Sequence, residues 1–213
     1  KIVGSVRCIR DSGYGLLYQK SAIMKYYHEG GFLTDQGVQI DRDPQEAIER
    51  YREYVEEKLS LERPLKLVLD MGNGAACTMA SFYQRLGFDS LILNGTADGL
   101  FPGRGPSPSE ESLRPACQEL LRSGADFGVG FDPDADRGIV IDDRGTVLPP
   151  EKVAIIIARS RYKPGDLVIS GFDCSMILER ELEKDGIRVQ RERVGDVFVA
   201  NRVKNSKAVL GVE

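Results

Sequence analysis

Leu65-Lys66-Leu67-Val68-Leu69-Asp70-Met71-Gly72-Asn73-Gly74 is the stretch whose reading decides the fold. A near-continuous apolar run is expected of a strand buried on both faces, as in a parallel sheet. The glycine-rich turn behind it hands the chain to a helix over about Ala75–Leu86, which Gly87 stops, and Ser90–Leu93 is the next strand. Gly72-Asn73-Gly74 is not a dinucleotide fingerprint, because Cys77 stands where the third Gly or Ala belongs. Upstream, Asp43-Pro44 reads as an N-cap followed by Pro at the first helical position. From there Ala47, Ile48, Tyr51, Tyr54, Val55 and Leu59 recur at helical spacing until Pro64, and the two tyrosines read as packing. Residues 1–35 show a weaker pattern: a short apolar start, the turn Asp11-Ser12-Gly13-Tyr14-Gly15, and a helix through Lys20–Tyr27 ended by Gly30-Gly31, with His28 as a helix-end residue.

Downstream, a Pro- and Gly-rich loop covers Asn94–Pro108, and Ser107-Pro108-Ser109-Glu110 opens a helix that Pro115 kinks or interrupts. Within that loop Arg104, between two glycines and near two prolines, reads as an exposed loop arginine, with a phosphate contact as the alternative. Asp126–Phe131 and Gly138–Asp142 are strands flanking an acidic loop, Asp142-Asp143-Arg144-Gly145 is a hairpin turn, and Pro150–Arg161 is a helix. After Lys163-Pro164-Gly165, the expected domain boundary, the pattern restarts as strand Asp166–Ser170, helix Cys174–Lys184 and strand Ile187–Glu192. Leu67 lies 20 residues before Gly87 and Leu167 lies 19 before Gly186, so two β–turn–α–Gly–β units of nearly equal length follow one another. The fold class is α/β, with sheets flanked by helices and repeated β-α-β units.

The composition excludes several classes of function. Of 213 residues 41% are hydrophobic and 29% charged, enough apolar matter for a core and too little bias for disorder. The 29 Lys+Arg against 33 Asp+Glu give a net charge of −4 with no basic stripe, which argues against a nucleic-acid partner or a membrane surface. No apolar run approaches a membrane span and no signal peptide opens the chain. A single histidine excludes a His-rich zinc site. Cys8, Cys77, Cys117 and Cys174 lie far apart, which reads as reduced core residues and a cytoplasmic setting. The start at Lys1 and the stop just after an apolar, strand-like run suggest a piece of a longer polypeptide.

The chemistry concentrates in Asp132-Pro133-Asp134-Ala135-Asp136-Arg137, between two apolar strands. At about 4 Å each pair of carboxylates repels by roughly 1 kcal/mol in water and about 4 kcal/mol at an effective dielectric of 20. If the three converge, a positive charge belongs among them, and hard oxygen donors select Mg²⁺, Mn²⁺ or Ca²⁺ over zinc. Arg137 adds a fixed fork suited to phosphate oxygens. An EF-hand does not fit, since Arg137 and Asp143 occupy the sixth and twelfth places and a strand follows. A haloacid-dehalogenase-type phosphatase with Asp132 as nucleophile matches in part, and Asp136 departs from its pattern.

The run from Asp132 to Arg137 closely resembles the metal-binding loop of the α-D-phosphohexomutases, the phosphoglucomutase/phosphomannomutase/phosphoglucosamine mutase family. Asp70-Met71-Gly72-Asn73-Gly74-Ala75, the loop from Asp98 through Phe101-Pro102 to Pro108, Val194-Gly195-Asp196 and Gly211-Val212-Glu213 resemble other stretches of that family in the same order. The resemblance implies residues 1–62 as the tail of a first domain and a connecting helix, 63–162 as a second domain carrying the metal loop, and 163–213 as part of a third, sugar-binding domain. It implies Mg²⁺ on Asp132, Asp134 and Asp136, a phosphoserine contact for Arg137, and substrate contacts for Gly195, Asp196 and Glu213. The implied reaction moves a phosphoryl group between O1 and O6 of a hexose phosphate by way of a bisphosphate intermediate. The nucleophilic serine lies outside this chain, and Val197 stands where many members have a basic residue. An aspartyl-phosphate phosphatase and a non-catalytic Mg²⁺ or sugar-phosphate-binding module are the alternatives.

Overall fold

A computed structural model describes residues 16–30, 43–59 and 63–213. Cys8, the turn at Asp11–Gly15 and Gly31 lie outside the described residues. Helix α1 covers Leu16–Glu29, longer at both ends than the expected helix, and Gly30 follows it in a left-handed conformation. Helix α2 covers Pro44–Lys58 and starts as its sequence dictates: the Asp43 carboxylate accepts the Gln45 N–H at 2.9 Å, and Pro44 opens the first turn. Tyr51 and Tyr54, expected to pack, are instead 58% and 60% exposed. Tyr54 lies under the Lys58 ammonium, 5.7 Å from its ring centre, which keeps that ring on the wet side of the helix.

Contacts divide the chain into two compact units, Arg42–Val153 and Ala154–Glu213 together with Lys1–Asp41. In the first, β1 (Lys66–Asp70) lies between β2 (Asp89–Leu93) and β3 (Phe127–Phe131), parallel to both, and β4 (Gly138–Ile141) closes the sheet antiparallel to β3. The period of two along β1 sends Val68 to one face and Leu67 and Leu69 to the other. Val68 meets Leu113, Ala116 and Leu120 from the side of α4 (Arg114–Ser123). Leu67 and Leu69 pack with Met71 and Ala76 on the opposite face, where α3 (Ala80–Arg85) lies. Both faces of β1 are therefore dry, as its apolar run requires.

Two helices depart from the sequence expectation. The stretch after Gly74 forms a 3-10 turn, Ala75–Met79, before α3 begins. Pro115 neither kinks nor interrupts α4, because the helix starts at Arg114 and places the proline in the first turn, where its missing N–H has no helical acceptor to lose. Ahead of it, Ser109 and Ser112 exchange N–H to Oγ bonds at 2.8 and 3.1 Å.

In the second unit β5 (Leu167–Gly171) lies between β6 (Arg188–Glu192) and β7 (Leu210–Val212), all parallel. Val168 packs with Ala154, Ile155 and Ala158 of α5 (Pro150–Arg161) and with Leu178 and Leu182 of α6 (Ile177–Leu182). Ile169, on the other face, meets Val199 and Val203 of α7 (Asp196–Ser206), a helix absent from the sequence expectation. The division at 153/154 falls inside α5 and not at Lys163-Pro164-Gly165, because the buried residues of α5 join the core around Val168.

Asp126 fastens the amino end of the first sheet: its carboxylate accepts the Lys66 N–H at 2.8 Å and pairs with Arg63 at 2.7 Å. The Arg63 guanidinium, aided by that N–H, holds the Asp126 carboxyl below its usual range. A depressed pKa stabilises the fold above the unfolded value of about 3.9 and loses that contribution as pH falls through the folded value. Melting temperatures between pH 6 and 2 should therefore fall more steeply for the wild type than for Asp126→Asn, the difference opening below about pH 4.

Candidate metal centre

The acidic loop leaves the carboxyl end of β3, beside that of β1. The connection from β2 crosses β1 to reach β3, so this edge is a topological switch point, where open α/β sheets place their ligands. Asp132 N–H donates to the Arg137 carbonyl at 3.2 Å and Ala135 N–H to the Asp132 carbonyl at 3.1 Å, with Ala135 at φ +61°. This tight return folds the alternating aspartates inward. Asp132, Asp134 and Asp136 offer carboxylate oxygens that all lie within 4.8 Å of one another. Asp132 is buried, Asp136 half-buried and Asp134 exposed.

Arg137 is the counter-charge already present. Its Nε lies 2.7 Å from Asp132 Oδ2 and 3.7 Å from Asp136 Oδ1, and its backbone N–H donates to Asp132 Oδ1 at 3.1 Å. Its side chain remains 45% exposed. Burial pushes the Asp132 carboxyl upward, but the bonds from Arg137 outweigh it and leave the group below its usual range. Asp136 is raised by burial and then by the charge of Asp132. The pair with Asp132 raises Arg137 further. One arginine thus compensates the first aspartate and leaves a surplus of negative charge on the other two.

A second layer braces this loop, and sequence reasoning missed it. Asp70, the last residue of β1, is buried and accepts from Gly72 N–H, Asn94 Nδ2 and Arg104 Nε, each at 2.9 Å. The Arg104 side chain, expected at the surface, is only 3% exposed, and its Nη2 donates to the carbonyl of Phe131. Asn73 holds the same long loop through Gly103 N–H to its Oδ1 at 3.0 Å and its Nδ2 to Thr96 O at 2.8 Å. Gly72 and Asn73 both adopt positive φ, +58° and +56°, turning the backbone sharply against the acidic loop. Ala75 N–H then donates to the Pro133 carbonyl at 2.8 Å. The available signal was an Asp at a strand end followed by Gly-Asn-Gly, but which arginine it would bind is not written locally.

The other expected site residues belong to the second unit. Gly195, at φ +125°, precedes α7, and Asp196 is its first residue, with Oδ1 accepting the Val197 N–H at 2.7 Å. Glu213 is half-buried after β7, its Cγ close to Gly171 at the end of β5. All three residues follow the carboxyl ends of parallel strands. None of Cys77, Cys117 and Cys174 is in a disulfide, and burial raises the Cys77 and Cys117 thiols. No helix among the described residues is long and apolar enough to cross a membrane.

Fold and site together define a class of α/β chain whose polar groups gather at the carboxyl edges of two sheets. Residues 49–145 match the family model described as phosphoglucomutase/phosphomannomutase, alpha/beta/alpha domain II, and residues 149–213 the one described as domain III. The chain belongs to this phosphohexomutase family. It is 37% identical over 199 residues to a probable phosphoglucosamine mutase of Methanothermobacter thermautotrophicus, covering 93% of this chain and 41% of the relative. A phosphoglucomutase/phosphomannomutase of Thermococcus kodakarensis is 28% identical, with 98% and 48% covered. A crystal structure of a phosphoglucomutase/phosphomannomutase family protein from Burkholderia thailandensis superposes with a TM-score of 0.78 at 28% identity, over 91% of this chain and 43% of that one. The chain thus spans between two fifths and one half of the length of these proteins.

The close approach of the two turns is open to test. A Cβ on Gly74 would lie 2.5 Å from the Pro133 carbonyl oxygen and 2.9 Å from its Cα, backbone atoms that cannot rotate away. Gly74→Ala should lower stability to urea by about 1–3 kcal/mol. Gly99→Ala, which meets nothing within 4 Å, should stay within about 0.5 kcal/mol of wild type.

Proposed function

We propose that this chain carries the cation-binding loop and part of the sugar-binding surface of a Mg²⁺-dependent phosphohexomutase. The observation that carries the reading is the convergence of three aspartate side chains beside an arginine that already holds the first of them. The donor set fits: three hard oxygens suit Mg²⁺, which keeps several waters and takes few protein carboxylates. Asp132, Asp134 and Asp136 would hold it, and the cation would offset negative charge on a transferring phosphoryl group.

The chain's own residues do the rest. Asp132 orients Arg137 through its Nε, and the remaining edge of the fork faces phosphate oxygens. Glu213 accepts from sugar hydroxyls, and Gly195 with Asp196 presents the α7 amino end to the substrate. In this reading a phosphoserine supplied from outside these 213 residues gives its phosphoryl group to a hexose phosphate. The bisphosphate turns round and the serine recovers the other group, so that the net transfer is between O1 and O6. The Methanothermobacter relative's name supports glucosamine phosphate as the hexose. Cysteines outside disulfides support a reducing, cytoplasmic setting. A nucleophilic Asp132 is not favoured, since the two bonds from Arg137 draw charge from its carboxylate and hold it below its usual range, which weakens it as a nucleophile.

Asp134 is exposed, so Asp134→Ala should leave the melting temperature unchanged while weakening Mg²⁺ and Mn²⁺ binding at least tenfold by calorimetric titration. In the polypeptide that includes the serine, the same change should reduce conversion of glucosamine 6-phosphate to the 1-phosphate by about 10²–10³-fold. Equal cation affinity in the two chains would sink the proposal. Cation binding without any isomerisation would point to a binding module, and release of inorganic phosphate to a phosphatase.

A further inference from the structure

The carbonyl groups on either side of Asp132 are both held from outside the acidic loop. The Phe131 carbonyl, one residue before, accepts from Arg104 Nη2, and the Pro133 carbonyl, one residue after, accepts from Ala75 N–H. The same Arg104 guanidinium pairs through Nε with Asp70, and both side chains are 3% exposed. A buried ion pair is poor value as a stabiliser, because desolvating both charges offsets their attraction. Its geometry is the more informative feature. A planar guanidinium reaches two acceptors in fixed relative directions, which the single ammonium of lysine does not do. Gly72 and Gly103 make room for the arrangement: a Cβ on Gly72 would run into Arg104 and lie 2.9 Å from the Phe131 oxygen, and one on Gly103 would crowd Asn94 and Asn73.

We infer that Arg104 is a positioning residue for the cation site: bridging Asp70 and the Phe131 carbonyl, it sets the direction in which the Asp132 carboxylate and its bound Arg137 enter the acidic cluster. Partners bonded directly to ligating groups are worth about 10–100-fold in metal affinity, and Arg104, which acts through the main chain one residue before Asp132, belongs at the low end of that range. Arg104 contacts neither cation nor substrate, and its effect passes through the backbone on the amino side of Asp132. The inference rests on the cation-site reading above and assigns a further residue to that site.

The test is Mn²⁺ binding followed by electron paramagnetic resonance on the whole chain, with unfolding curves recorded alongside. Arg104→Lys keeps the charge opposite Asp70 and gives up the bridge. It should fold cooperatively, bind Mn²⁺ about tenfold more weakly, and lose hydrogen-exchange protection at the Ala135 amide. Arg104→Met should weaken binding further, whereas Arg63→Met, which cuts the strap at the opposite end of β1, should leave affinity within twofold of wild type. Wild-type affinity and protection in Arg104→Lys overturn the inference. Loss of cooperative folding in Arg104→Lys also overturns it, assigning the pair to stability alone. Failure of the wild-type chain to bind Mn²⁺ removes the cation site itself and this inference with it, and that outcome differs visibly from the other two.

Discussion

One carboxylate organises the functional edge of the first sheet. Asp70 closes β1 and, buried, accepts three hydrogen bonds: from the turn that follows it, from the residue that leaves β2, and from the loop arginine. A buried carboxylate without such donors costs several kcal/mol, so the three segments are obliged to converge on it. Once they do, the Gly72–Ala75 turn and Arg104 lie against the backbone of the acidic loop and fix its course. The cluster of aspartates is a consequence of this arrangement as much as of its own spacing.

The second unit repeats the architecture with different chemistry. The strand that corresponds to β1 ends in Gly171, and the arginine that reaches back to its turn is Arg191 of β6. Arg191 donates to the carbonyls of Gly171 and Cys174 at 2.7 and 2.6 Å and pairs with Glu179 of α6. In both units a guanidinium with several donors satisfies carbonyls where the backbone leaves the strand. The central strand of the first unit ends in a carboxylate, Asp70, where that of the second ends in Gly171, and the loop after β3 carries three more.

Much of this architecture was legible because its signals are local. The apolar runs of β1 and β5, the glycines at 87 and 186 with their positive φ, the Asp43-Pro44 cap and the Pro150–Arg161 helix depend on neighbours in sequence. The three aspartates could be read as a cluster because alternate positions in a tight return between paired strands must come together. What escaped reading was set by distant partners. Arg104 reads as a surface residue in the sequence because its acceptors lie 34 and 27 residues away. Tyr51 and Tyr54 occupy helical-stripe positions yet stay exposed, since periodicity gives a face but not the width that a neighbour covers. The helix α7 is not legible because Val197, Phe198, Val199 and Ala200 form one unbroken apolar run, with Val203 alone beyond it, which does not distinguish a helix from a strand.

The bracing of the residues around Asp132 has a thermodynamic consequence for whatever the loop receives. A flexible acidic loop would have to surrender conformational entropy at the moment of association, and like charges would drive it open until then. Here the ordering occurs earlier, as the sheet folds, and burial together with the charge of Asp132 raises the Asp136 carboxyl. A cation bound there, as proposed above, would meet a site that needs little reorganisation, and preorganisation of this kind lowers the cost of binding.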